Sequence, residues 1–142
     1  DPVAEDDAEG FVAFTRAYGD RCQVIGDDFL VTNADRVRKA AAEGAATAVL
    51  VKPNQAGTVT ETRAALDAGK AAGFGTIVSA RSGETEDVTI VHLAVGWDAG
   101  QLKVGSFSRS ERMAKWNECL RIAERLGDDA TFAGRDALGF RR

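Results

Sequence analysis

The stretch Ala48–Asn54, AVLVKPN, decides how this chain folds. Four apolar residues run without interruption into Lys52, and Pro53 then prevents the strand from continuing, because proline has no N–H to give to a ladder. The pattern predicts a buried strand that delivers an amine at its carboxyl end. Such an amine is suited to take a proton from a bound molecule.

Working outward, the same arrangement recurs. Before this stretch, Asp6–Tyr18 carries acidic residues in its first turn and aromatics at helical spacing, which predicts a helix stopped by Gly19. Cys22–Gly26 reads as a short apolar strand ending in Asp27-Asp28. Thr32 or Asn33 caps a helix over Ala34–Glu43, closed by Gly44. After it, Thr58-x-x-Glu61 is a capping box that opens a helix running to Ala71 or Ala72.

Thr76–Ala80 predicts a third strand, running into Arg81-Ser82-Gly83, and roughly Thr85–Asp98 predicts a well-buried helix. Gln101–Gly105 is a fourth strand and contains Lys103. Ser108-x-x-Glu111 reads as a second capping box, opening a helix with Met113, Trp116, Leu120, Ala123 and Leu126 on its apolar face. Asp128–Arg142 reads as a loosely held tail, leaving residues 1–127 as the folded unit.

One helix followed by four strand-helix units, with no hairpin signal, calls for an α/β fold with a parallel sheet and right-handed crossovers. Asp27, Lys52, Arg81 and Lys103 fall about one βα unit apart, at or near strand ends, so all four meet at the carboxyl rim where such folds keep ligands. The hydroxyls of Ser79 and Ser82 join them. A set of this kind fits a small, multiply anionic substrate with a divalent cation. The only GxG, Gly73-Phe74-Gly75, precedes a strand, which weakens a dinucleotide-binding sheet and leaves half of a (β/α) barrel.

Composition narrows the classes further. The chain has 142 residues, 44% hydrophobic and 28% charged, with a net charge of -4. Its basic residues are dispersed, which argues against a nucleic-acid surface. No apolar run approaches the roughly 20 residues that span a bilayer. Cys22 and Cys119 read as reduced, buried thiols, and the single His92 leaves a zinc centre or a catalytic triad almost nothing to work with. Glu84, Glu86 and Asp87 read as acidic residues of a helix's first turn rather than a metal cluster, and Asp28 as facing away from Asp27. The start at Asp1-Pro2-Val3, without Met, reads as a processed or incomplete end.

GDDFLVTN (Gly26–Asn33), LVKPNQAGTVTE (Leu50–Glu61), SARSGETED (Ser79–Asp87) and GQLKVGSFSRSERMAKWN (Gly100–Asn117) resemble blocks of the enolase family, in the same order and at matching separations. The resemblance implies the carboxyl-terminal half of a TIM-type barrel domain. It implies a magnesium-dependent dehydration of 2-phosphoglycerate to phosphoenolpyruvate, in a cytoplasmic enzyme that is a homodimer at full length. By position, Asp27 matches a magnesium carboxylate, Lys52 the general base, Arg81 and Ser82 the phosphate-binding pair, and Lys103 the lysine facing the substrate carboxylate.

There are departures. Ala80 stands where the family has histidine, and Pro53 follows the base. The resemblance begins after the first half of the barrel, so two further metal carboxylates, the mobile loops and the amino-terminal domain have no counterpart in these residues. A single carboxylate cannot hold the metal, so the 142 residues alone are expected to be inactive and to associate through open sheet edges. Two other readings stay open: a relative of carboxyphosphonoenolpyruvate synthase with an altered substrate, and a non-catalytic binding protein derived from the family.

Overall fold

The computed structural model describes residues 1–138. Helix α1 spans Ala8–Tyr18, strand β1 Ile25–Gly26, α2 Ala34–Glu43, β2 Ala48–Val51, α3 Pro53–Ala56 and α4 Val59–Ala71. They are followed by β3 Gly75–Ser79, α5 Thr89–Gly96, β4 Gly100–Lys103 and α6 Ser110–Leu126. All strand pairs are parallel and lie in sequence order β1-β2-β3-β4. Strand order never reverses, so the sheet has no switch point. It is the wall of a half-barrel rather than a doubly wound sheet.

The register sorts the side chains by face. Ile25 pairs with Ala48, Leu50 with Ile77, and Ile77 with Gln101, while Val49, Val51 and Val78 point the other way. This second set is fully buried beneath the helices and joins Phe11, Leu30, Val37 and Leu66 in the main core. Each buried valine contributes about 1.5–3 kcal/mol of transfer free energy. A Cβ at Gly69 of α4 would lie 2.8 Å from Val49 Cγ1, so only glycine lets that helix settle so closely on β2. The opposite face holds a separate small cluster, Ala48, Leu50 and Ile77 with Ile25 beside it. Its Leu50 and Ile77, with Ile25, line an open groove of about 570 Å³ together with Phe107 and Trp116.

Local chemistry explains the boundaries, including those the sequence misplaces. Asn33 caps α2 by accepting the N–H groups of Asp35 and Arg36, and Gly44 ends that helix at a φ of 66°. Thr58 accepts the Glu61 N–H at 3.1 Å, as the capping box predicts. Ser108-x-x-Glu111 does not cap α6. The residue before that helix is Arg109, at a φ of 71°, and Ser108 instead hydrogen-bonds Ser106.

Helix α5 starts only at Thr89, with Asp87 accepting the Thr89 N–H at 2.8 Å. Glu84, Glu86 and Asp87 therefore lie in the loop before the helix, not in its first turn. Cys22 is exposed rather than buried, because β1 starts three residues later.

The largest departure is in α6. Its buried residues are Arg112, Lys115 and Glu118, whereas Leu120, on the apolar face read from the sequence, is 70% exposed. Beyond α6, a single turn over Gly134–Leu138 rests against β3 and β4, with the Ala137 and Leu138 carbonyls accepting from Gln101 and Gln23. Residues 139–142, the end of the tail including Arg141-Arg142, lie outside the described residues.

Candidate active site

Parallel strands point their carboxyl ends the same way, so whatever follows each strand gathers at one rim. After β1 the chain turns sharply. The Asp27 and Asp28 N–H groups each donate at 2.8 Å to the Asp1 carboxylate, and the Asp27 carbonyl accepts from Leu30 and Val31. Val31 and Thr32 then adopt positive φ angles of 45° and 52°. For β-branched residues this is strained backbone, costing of order 1–3 kcal/mol each. It places the buried Thr32 hydroxyl where it accepts the Lys52 N–H at 2.9 Å and donates to Gln55 Oε1 at 2.8 Å.

Lys52 leaves β2 in extended geometry, as a residue before proline must, and Pro53 occupies the first position of α3. The unusual proline thus starts a helical turn at the one place where its missing N–H costs nothing. The Lys52 ammonium lies 2.5 Å from Asp27 Oδ1, with the two side chains only 10% and 23% exposed. The ammonium thus satisfies that buried carboxylate oxygen as an ion pair. A carboxylate is also the ligand type a hard cation takes. Among the described residues, however, no group of three or more His, Cys, Asp or Glu side chains converges on one point.

After β3, the Ala80 N–H donates to the Lys103 carbonyl at 2.9 Å, tying the ends of β3 and β4 together. Arg81 donates through Nη1 to Asn54 Oδ1 at 2.9 Å. Its N–H donates at 2.7 Å to Glu84. Burial by itself would raise the Glu84 carboxyl. The Lys115 hydrogen bond, the Arg81 N–H and the charges of Lys115 and Arg112 outweigh it and hold that group below the usual value of 4.5.

Lys52, Ala80, Arg81, Ser82 and Lys103 line one cavity of about 380 Å³. Asp28 also faces it, while Asp27 lines the groove on the inner face and reaches the cavity only through Lys52. Ser79 does not take part: its hydroxyl is buried and donates to the Ala80 carbonyl. Arg109 and Arg112, which reading the strands alone overlooks, complete a wall of five cations against one carboxylate. The available signal was the spacing of Arg112, Lys115 and Glu118, every third residue along α6. The cavity can hold a small molecule with two or more negative charges and present an amine to it.

Strands in sequence order whose carboxyl ends gather basic groups around such a cavity define a segment of a (β/α) barrel. The profile of the family described as "Enolase, C-terminal TIM barrel domain" matches residues 1–140, and the chain belongs to that family. It is 54% identical over 134 residues to the enolase of Mycobacteroides abscessus, an alignment covering 94% of this chain and 31% of that protein. The chain therefore spans about a third of the length of this relative. Among the described residues no helix is long and apolar enough to cross a membrane.

Proposed function

We propose that this chain forms half of the barrel of a lyase that dehydrates 2-phosphoglycerate to phosphoenolpyruvate, with Lys52 as the general base. The observation that carries this reading is the shared cavity of Lys52, Arg81, Ser82 and Lys103, with the Asp27 carboxylate against the base. The phosphoryl group is held by the Arg81 guanidinium and the Ser82 hydroxyl, a charge-assisted pairing that fixes orientation as well as position. The substrate carboxylate faces Lys103. This leaves the C2 proton toward Lys52, which can take it only in its unprotonated form, so the ammonium paired with Asp27 must first give up a proton.

Removing a proton next to a carboxylate places a second negative charge on that group, and preorganised cations lower the barrier because they need not rearrange. Asp27 supplies one oxygen toward magnesium, which when bound would add Lewis-acid stabilisation of that charge. To complete the dehydration the C3–OH bond then breaks and the hydroxide leaves as water, with the acid that protonates it, like the other carboxylates of a complete metal site, coming from outside these residues.

The full-length protein should turn over 2-phosphoglycerate in a magnesium-dependent assay, and Lys52→Ala should lower kcat by about 10²–10⁴-fold. Absence of turnover by the unaltered full-length protein would sink the proposal. A second reading, an altered phosphorus-acid substrate, draws on Ala80, which lines the cavity with nothing beyond its Cβ. If it holds, Ala80→His raises 2-phosphoglycerate turnover over that of the parent. If it does not, the substitution leaves turnover the same or lowers it.

A further inference from the structure

Residues 81–87 carry the proposed phosphate-binding pair, yet they have neither helix nor strand to hold them. They are held from behind, by α6. Arg112, 5% exposed, donates through Nη1 to the Arg81 carbonyl at 2.8 Å and to the Val104 carbonyl at 3.0 Å, and through Nη2 to the Ser82 carbonyl at 3.0 Å. Its fork thus joins the loop after β3 to the end of β4. Lys115, with no exposed surface at all, lies 2.7 Å from Glu84 Oε2 and donates to the Thr85 carbonyl. The other oxygen of Glu84 accepts the Arg81 N–H at 2.7 Å.

The peptide groups of Arg81 are therefore fixed on both sides, the N–H by Glu84 and the carbonyl by Arg112. Desolvating two cations is costly, and apolar residues of similar size could fill the same space. What apolar residues could not do is bond four backbone carbonyls and a carboxylate. Arg112 commits three of its five N–H donors to protein carbonyls, so it supports the site's shape as well as lining the cavity.

We infer that Lys115 and Arg112, acting partly through Glu84, are positioning residues that hold the Arg81–Ser82 loop in its anion-binding shape. This rests on the function proposed above and assigns the support for its phosphate subsite. Partners that orient metal ligands typically matter by about 10–100-fold when removed, and the lower end of that range is expected here for partners of an anion-binding loop.

The test uses the full-length protein and four variants: Lys115→Met, Glu84→Ala, Glu84→Gln and Arg112→Lys. Inorganic phosphate affinity is measured by calorimetry, kcat and KM with 2-phosphoglycerate, and the folded fraction by thermal melts. Lys115→Met and Glu84→Ala should weaken phosphate binding per folded molecule by about 10-fold and raise KM more than they lower kcat. Glu84→Gln keeps one oxygen for the Arg81 N–H but turns an amide NH2 toward the buried Lys115 ammonium, so it should recover only part of the loss, and Arg112→Lys should fall between the parent and Lys115→Met.

If Lys115→Met does not fold, the two Glu84 variants decide the question. Unchanged phosphate affinity and KM in folded Glu84→Ala would overturn the inference, leaving α6 a merely structural support. A parent that binds phosphate but does not dehydrate 2-phosphoglycerate overturns the proposed reaction, while the phosphate constants still test the loop's support. A parent that binds no phosphate overturns both.

Discussion

The two faces of the four-stranded sheet are made by alternate residues of the same strands, and they meet different fates. On the helix side Val49, Val51 and Val78 are sealed to zero exposure, in continuity with Phe11 and Leu66. On the inner side Leu50 and Ile77 sit in a cluster of their own, above a groove of about 570 Å³ that reaches the exposed ring of Phe107. A parallel sheet is stable when both faces are covered. One face here is packed against the chain's own helices, while on the other Leu50 and Ile77 are 2% and 5% exposed beside a groove that leaves Phe107 open. Burial is thus nearly equal on the two faces, and what differs is the open space next to it.

The sharpest way to break this comparison is to make the same truncation on both faces. Leu66→Ala, in the sealed core, should cost about 4 kcal/mol in urea unfolding, near the upper part of the range for buried leucines. Leu50→Ala should cost about 2 kcal/mol, because part of the cavity it leaves opens onto an existing groove. Equal costs would mean that the inner cluster is as much a core as the outer one.

Association comes next. Sedimentation of the isolated 142-residue chain should show dimers or larger species, and Phe107→Ser should shift it toward monomer while changing stability by less than about 0.5 kcal/mol. A monomeric parent at high concentration would remove the argument for an incomplete face.

A smaller effect concerns acid. The folded-state pKa of Glu84 is depressed, so its contribution is complete above the ordinary value of 4.5 and is lost as pH falls below that toward the lowered folded value. Stability of the parent should therefore fall more steeply than that of Glu84→Gln below pH 4.5, and parallel curves would show that the Lys115 partnership is weak. The smallest expected difference is between the thiols. Exposed Cys22 should react with a maleimide faster than Cys119, whose thiol is pushed up chiefly by burial.

The barrel wall was legible because strand ends are punctuated by single residues with strong rules. The apolar run into Lys52-Pro53, Gly44 and Asn33 each act within a few residues of chain, and the rim residues Lys52, Arg81, Ser82 and Lys103 follow from those ends. Helix α6 was misread for a physical reason. Periodicity finds an apolar stripe and assumes it faces inward, but Arg112 and Lys115 are drawn in by backbone carbonyls of a distant loop. No local pattern announces a partner some thirty residues away in sequence. The second capping box failed likewise: Arg109 takes a positive φ, and Ser108 turns to Ser106 instead.

The bend at Val31–Thr32 has a consequence for anyone wishing to toughen this protein. Glycine at residue 32 would relieve the left-handed backbone there, yet it would also release the amide of Lys52 from the Thr32 hydroxyl that receives it. Sturdiness and aim compete at that corner, so selecting variants for heat resistance alone would loosen the direction in which the Lys52 side chain is held.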